Sequence, residues 1–137
     1  MLDHIKTPSI LFKVEGIVQQ GEKKGKELGF PTANLSCDNS ISSGIYAGEA
    51  AWKGTVYPAA LYKEDAKNVV EAHLLDFSEN LYGEKLIILA HQKVRDVRIF
   101  PKREELIAAI SQDIKDIREL MSVENDKKGQ NTLSLEL

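Results

Sequence analysis

Two short strings hold most of the side chains in this sequence whose types and spacing could do chemistry. The first is Leu28-Gly29-Phe30-Pro31-Thr32-Ala33-Asn34-Leu35, which follows the loop Gly21-Glu22-Lys23-Lys24-Gly25-Lys26-Glu27. Glycines leave backbone N–H groups open to an anion, and lysines add positive charge. A hydroxyl at Thr32 and a carboxamide oxygen at Asn34 are hard oxygen donors of the kind that help hold Mg²⁺. Taken alone, the string reads more readily as a tight turn leading into a strand. The second string is Val69–Phe77, where Glu71 and His73 share one face of a strand pattern and Val70, Ala72 and Leu74 share the other. A carboxylate among apolar strand residues is either a solvated outward group or a base held in a cleft. His73 reads first as a packed, hydrogen-bonded residue, since no second His or Cys is spaced to complete a zinc site. Arg95, Arg98 and Phe100 form a third group, either a charged connector with one anchoring aromatic or the flank of a planar ligand. Ser-His-Asp chemistry has no nucleophile elbow to support it.

The elements that must position these groups follow from periodicity. Ile10–Gln19 is rich in β-branched and aromatic residues and predicts a strand, with Gly16 marking a bulge or a close approach. Pro31 keeps Phe30 extended, so the first string is a loop or an extended edge and not a helix. Ile45–Trp52 and Val56–Tyr62 predict two strands joined at Lys53-Gly54, and 63–68 a loop. Val69–Phe77 and Leu86–Val94 predict two more strands with a turn at 78–84. From Pro101 the period changes: Leu106, Ile110, Ile114, Ile117 and Met121 recur at helical spacing and are expected to be core. Pro101 suits a helix start, and Glu104 and Glu105 suit its first turn. Strands do not alternate with helices and no P-loop string is present, which argues against a Rossmann or P-loop fold. A mainly β, small antiparallel barrel with a helix packed on it fits the order.

One domain, 1–137, is expected, with a core over about 12–121 and a polar, mobile tail over 122–137. A net charge of −3 gives no global case for nucleic acid or a membrane surface. The single cysteine, Cys37, excludes an intramolecular disulfide framework and a Cys-cluster zinc site. No apolar run has signal-peptide or membrane-span length, so a cytoplasmic setting is expected.

With these residues in view the sequence resembles the riboflavin kinase family. The resemblance runs in order through Gly21…Gly25…Leu28-Gly29-Phe30-Pro31-Thr32-Ala33-Asn34-Leu35, Gly44-Ile45-Tyr46-Ala47 and Glu71-Ala72-His73-Leu74-Leu75-Asp76-Phe77. It continues through Leu81-Tyr82-Gly83-Glu84 and Arg95…Phe100…Glu105-Leu106, about Phe12 to Met121 in all. It implies a six-stranded antiparallel Greek-key barrel with a C-terminal amphipathic helix, and transfer of the γ-phosphate of ATP to the 5′-hydroxyl of riboflavin to give FMN. Mg²⁺, or another divalent cation such as Zn²⁺ or Mn²⁺, would assist, with ATP as co-substrate. Carried over by position, Glu71 would be the general base, and Thr32 and Asn34 the metal ligands. Gly21, Lys26, Thr32, Leu74, Asp76 and Tyr82 would bind ATP; Arg95, Arg98, Phe100 and Glu105 would bind the flavin. The partners implied are riboflavin/FMN and ATP/ADP, with no nucleic acid or membrane, and a monomer is expected. A monofunctional enzyme is also expected, since no His-x-Gly-His string of an FMN adenylyltransferase is present.

Departures from the family pattern exist. Leu61-Tyr62-Lys63-Glu64-Asp65-Ala66 lacks the usual Gly-x-x-Pro-Thr loop, Lys23 stands where a further Gly is common, and Asp96 follows Arg95 where Pro-Glu is usual. They keep two alternatives open: a non-catalytic flavin- or nucleotide-binding barrel, and a same-fold kinase with altered nucleotide or flavin-analogue preference.

Overall fold

A computed structural model describes residues 10–21 and 28–136, with side chains described as far as Ser122. Six strands are followed by one helix: β1 (Phe12–Ile17), β2 (Ala33–Ser36), β3 (Gly44–Trp52), β4 (Thr55–Lys63), β5 (Val69–Leu74), β6 (Lys85–Arg95) and α1 (Arg103–Glu136). The sheet order is β1-β6-β3-β4-β5-β2 and every pairing is antiparallel. Beyond the end of β1, the Gln19 N–H donates to the Asn34 carbonyl of β2 at 2.8 Å, so the two outer strands nearly close the sheet into a barrel. This is the barrel-plus-helix architecture expected from the sequence.

The alternation in β5 orients the site. Val70, Ala72 and Leu74 are buried in the barrel with Leu35, Leu61 and Ile88, which leaves Val69, Glu71 and His73 on the outer face. Across the ladder Glu71 pairs with Asn34 of β2 on one side and Tyr62 of β4 on the other. Directly paired residues on antiparallel strands share a face, so polar side chains from three strands lie on the outer side of the barrel.

Gly16 makes neither a bulge nor a close approach. It pairs in register with Leu86, and an added Cβ would meet only Leu35 at 3.9 Å. Two register shifts lie elsewhere, between Ile45 and Tyr46 and between Ala47 and Gly48, where β3 meets β6.

The stripe on α1 divides in two. Ile117 and Met121 pack on Ile45, Ala47 and Leu75 outside the barrel, as a core stripe should. Leu106 and Ile110 instead line a cavity between helix and barrel, and Ile114 does so while also packing on that cluster, which corrects the expectation that the whole stripe is core. The helix continues through Glu136, beyond the point where a polar tail was expected to begin.

Candidate active site

Two cavities lie on either side of the Pro31–Thr32 segment, and Thr32 lines both.

The first, of about 280 Å³, is bounded by Gln19 and Gly21, by Pro31–Asn34, and by Leu74 and Phe77–Tyr82. Backbone bonds hold its frame: Val18 N–H donates to the Glu84 carbonyl at 2.9 Å, and Gly83 N–H to the Val18 carbonyl at 3.0 Å. Two aromatic contacts and one side-chain bond brace the same stretch. The Phe77 ring meets the edges of Trp52 and Tyr57, and Trp52 Nε1 donates to Glu84 at 2.9 Å. Trp52 and Tyr57 carried no readable signal in the sequence; their role is to fix the wall that carries Tyr82.

Asn34 sits in this wall with its amide buried and its Oδ1 without a hydrogen-bond partner among the described residues. Leaving such an acceptor unmatched costs about 1–3 kcal/mol, so its natural complement is a donor or a cation brought by a ligand. Gly21 allows the arrangement: a Cβ there would fall 1.5 Å from Asn34 Nδ2. Gly29, at φ 93°, occupies a backbone region that L side chains rarely adopt, and it turns the chain into the Phe30–Thr32 approach. The donor set at Thr32 and Asn34 is neutral oxygen. That set suits a hard divalent cation whose other ligands come from phosphates and water. Among the described residues no group of three or more His, Cys, Asp or Glu could hold a metal alone.

The second cavity, of about 330 Å³, lies between the barrel wall and the start of α1. Glu71 faces it, half-buried, and accepts a hydrogen bond from Thr32 Oγ1 at 3.3 Å. Tyr62 stands beside Glu71, and its hydroxyl donates to Glu64 at 2.9 Å. Burial above all, then that hydrogen bond and the carboxylates of Glu64 and Glu71, push the Tyr62 phenol far above its ordinary value, so it stays a donor. Lys63 points into the barrel, almost fully buried, and its ammonium donates to the Glu64 carbonyl at 2.8 Å, which pins the turn carrying Glu64 and Lys67. The opposite wall is apolar: Phe100, Leu106, Ile110 and Ile114.

Of the residues singled out in the sequence, Gly21, Thr32, Asn34, Leu74 and Tyr82 line the first cavity, and Glu71, Arg95, Arg98 and Phe100 the second. Arg95 is tied down. Its Nε and Nη2 donate to the two carboxylate oxygens of buried Asp113 at 2.8 and 2.7 Å, while its guanidinium lies 5.6 Å from the Phe100 ring. Arg98 flanks the same ring at 5.1 Å.

Two residues are not brought in. Asp76 takes φ 55° just beyond β5 and accepts from Arg118 of α1 at 2.6 Å, a bond that holds its carboxyl below the usual range. Glu105 is exposed on the first turn of α1 and lines neither cavity. Lys26 lies outside the described residues. Sequence reasoning missed Tyr62, Glu64, Lys67, Leu106 and Ile110, whose only signal was position beside a loop or on a helix stripe.

Comparison with known proteins gives these features a family. The chain is 33% identical over 112 residues to the bifunctional riboflavin kinase/FMN adenylyltransferase of Bacillus subtilis, covering 73% of this chain and 35% of that protein. It thus spans about a third of the length of that relative. Riboflavin kinase from Trypanosoma brucei has the same fold, with a TM-score of 0.61 at 22% identity over 80% of this chain and 79% of that one. So does a Streptococcus pneumoniae chain described as a macrolide-efflux protein, with a TM-score of 0.68 at 23% identity over 77% of this chain and 38% of that one. At these identities the two structures speak for the fold alone. The family model for riboflavin kinase (flavokinase) matches residues 9–121, and the chain belongs to that family.

Proposed function

We propose that this chain transfers the γ-phosphoryl group of ATP to the 5′-hydroxyl of riboflavin, giving FMN and ADP. The observation that carries the reading is the meeting of the two cavities at Thr32, whose hydroxyl is bonded to the one carboxylate on the outer face of β5.

The second cavity takes the flavin in this reading. Its apolar wall suits a planar aromatic ring, with Phe100 held rigid between Arg95 and Arg98. The polar end, at Glu71 and Tyr62, suits a polyol chain. The first cavity takes the nucleotide, its phosphates towards Gly21, Thr32 and Asn34 and the rest along Leu74 and Tyr82. Asp76 and Glu105 are left out of the proposed site because both face elsewhere.

Phosphoryl transfer asks little covalent chemistry of a protein; it needs the acceptor in line and the developing charge neutralised. Glu71 accepts the proton of the 5′-hydroxyl as that oxygen forms its bond to γ-phosphorus, and the bond from γ-phosphorus to the β-bridging oxygen breaks to release ADP. Asn34 Oδ1 and Thr32 Oγ1 would hold Mg²⁺, or another divalent cation such as Mn²⁺ or Zn²⁺. A cation bound there supplies charge neutralisation to the phosphates. The cytoplasmic, monomeric setting expected from the sequence stays part of the proposal.

The test is direct. Purified protein with riboflavin and MgATP is expected to form FMN, followed by chromatography. No FMN with any nucleoside triphosphate or divalent cation would overturn the reading.

A further inference from the structure

The wall shared by the two cavities has little main-chain support of its own. The β2 ladder begins at Ala33, paired with Ala72, so Pro31 and Thr32 lie beyond it, and Pro31 has no N–H with which to extend the pairing. Yet Thr32 is the residue that must face both substrates. His73 supplies an anchor from the neighbouring strand. Its Nδ1 lies 2.7 Å from the Pro31 carbonyl, and its ring meets the Phe30 ring edge-on, centroids 5.8 Å apart and planes at 84°. A carbonyl oxygen can only accept, so Nδ1 carries the hydrogen.

We propose that His73 is a positioning residue for phosphoryl transfer: its Nδ1–H holds the Pro31 carbonyl and so fixes Thr32 between the nucleotide and Glu71. The inference rests on the assignment of substrates to cavities made above. The barrel does not need this imidazole. β5 has its register from pairs with both β2 and β4, and its core contacts come from Val70, Ala72 and Leu74 on the opposite face. What the imidazole holds is a short extended segment with a reacting site on each side. Misplacing such a wall by about 1 Å can cost about 100-fold in rate without weakening binding.

Side-chain geometry supplies a discriminating test. The Asn amide nitrogen stands in the same relation to Cβ as His Nδ1, whereas Phe keeps a ring against Phe30 and lacks the donor. His73→Phe is expected to lower kcat about 10- to 100-fold with KM for riboflavin and for MgATP each within about threefold. His73→Asn is expected to return kcat to within about threefold of the parent. Nitrogen-15 NMR of the parent is expected to find the neutral His73 ring as the Nδ1–H tautomer. An Nε2–H tautomer, a folded Phe variant with parental kcat, or an Asn variant no better than Phe would each overturn the proposal. Should the Phe variant not fold, the Asn variant and the tautomer decide it: a parental kcat with Nδ1–H supports the role, and a tenfold loss or Nε2–H removes it. A parent chain that forms no FMN overturns the functional reading, and the ring tautomer then decides the anchor by itself.

Discussion

The first cavity is made by three chain segments that lock to one another largely through main-chain bonds, whereas the second draws side chains from Leu28–Thr32, β3, β4, β5, the end of β6, the β6–α1 connector and α1. One is therefore a matter of backbone shape, with Gly21 and Gly29 present because of what a side chain would obstruct or strain. The other is a matter of docking, since one side of its wall, at Leu106, Ile110, Asp113 and Ile114, exists only where α1 settles on the barrel. The difference suits the two ligands proposed. Phosphates are recognised by a rigid polar frame that different nucleotides share, and a flat ring by a larger apolar wall that can be shaped by side-chain choice. Thr32 lines both, and Glu71 meets it from the second cavity.

That position makes Glu71 the largest lever. Glu71→Gln keeps the size and the hydrogen-bonding ability of the side chain but removes the base. Turnover is expected to fall by about two to four orders of magnitude with flavin binding, followed by quenching of riboflavin fluorescence, largely intact. Normal turnover in this variant would remove Glu71 from the chemistry. A smaller and one-sided effect is expected from Gly21→Ala. The added Cβ cannot coexist with the Asn34 amide as it stands, so Asn34 must rotate and withdraw Oδ1 from the first cavity. KM for MgATP and the divalent-metal requirement are expected to rise about 10- to 100-fold together, the range for a lost contact to a charged group. Riboflavin affinity should stay within about twofold. Equal damage to both substrates would show that the two cavities are not built separately.

How much of this was legible in the sequence follows the same division. The first cavity could be read because its determinants are local: Gly21, Thr32, Asn34, Leu74 and Tyr82 all line it, and each belongs to a short string. Alternation in β5 likewise fixed which face carries Glu71 and His73. Asp76 escaped the same logic. Counting by twos puts it with Leu74, but the strand ends at Leu74 and the left-handed backbone at Asp76 turns the carboxylate to Arg118. On α1 the helical period found the stripe but not its partner. Whether Leu106 and Ile110 meet barrel or cavity depends on where the helix sits, and no local pattern encodes that. Glu105, which only the resemblance carried over to the flavin, lines neither cavity: successive helix residues diverge by about 100°, and Leu106 takes the inward direction. Tyr62 and Lys67 look like ordinary strand and loop residues, and only the fold brings them opposite α1.

Among the described residues Arg95–Asp113 is a polar contact that helps hold the position of α1, which gives the last and mildest test of the comparison. Arg95, at the end of β6, and Asp113, on the third turn of α1, make a two-pronged bond with little exposure on either side. Asp113→Asn keeps the shape but removes the charge, and its amide group places one N–H against a guanidinium N–H. Arg95 then remains as a largely buried cation with one of its three acceptors gone. The loss should be about 1–3 kcal/mol of stability, below the figure for a wholly buried pair because Arg95 retains some solvent and the Asp96 carbonyl. In a thermal melt of a domain this size that corresponds to a fall of roughly 3–5 °C for each kcal/mol. Because α1 would be less firmly seated over the second cavity, riboflavin affinity is expected to fall about three- to tenfold while KM for MgATP stays within about twofold. A fall in nucleotide affinity of the same size would mean that the helix supports both cavities, and the contrast between backbone-built and helix-built walls would then fail.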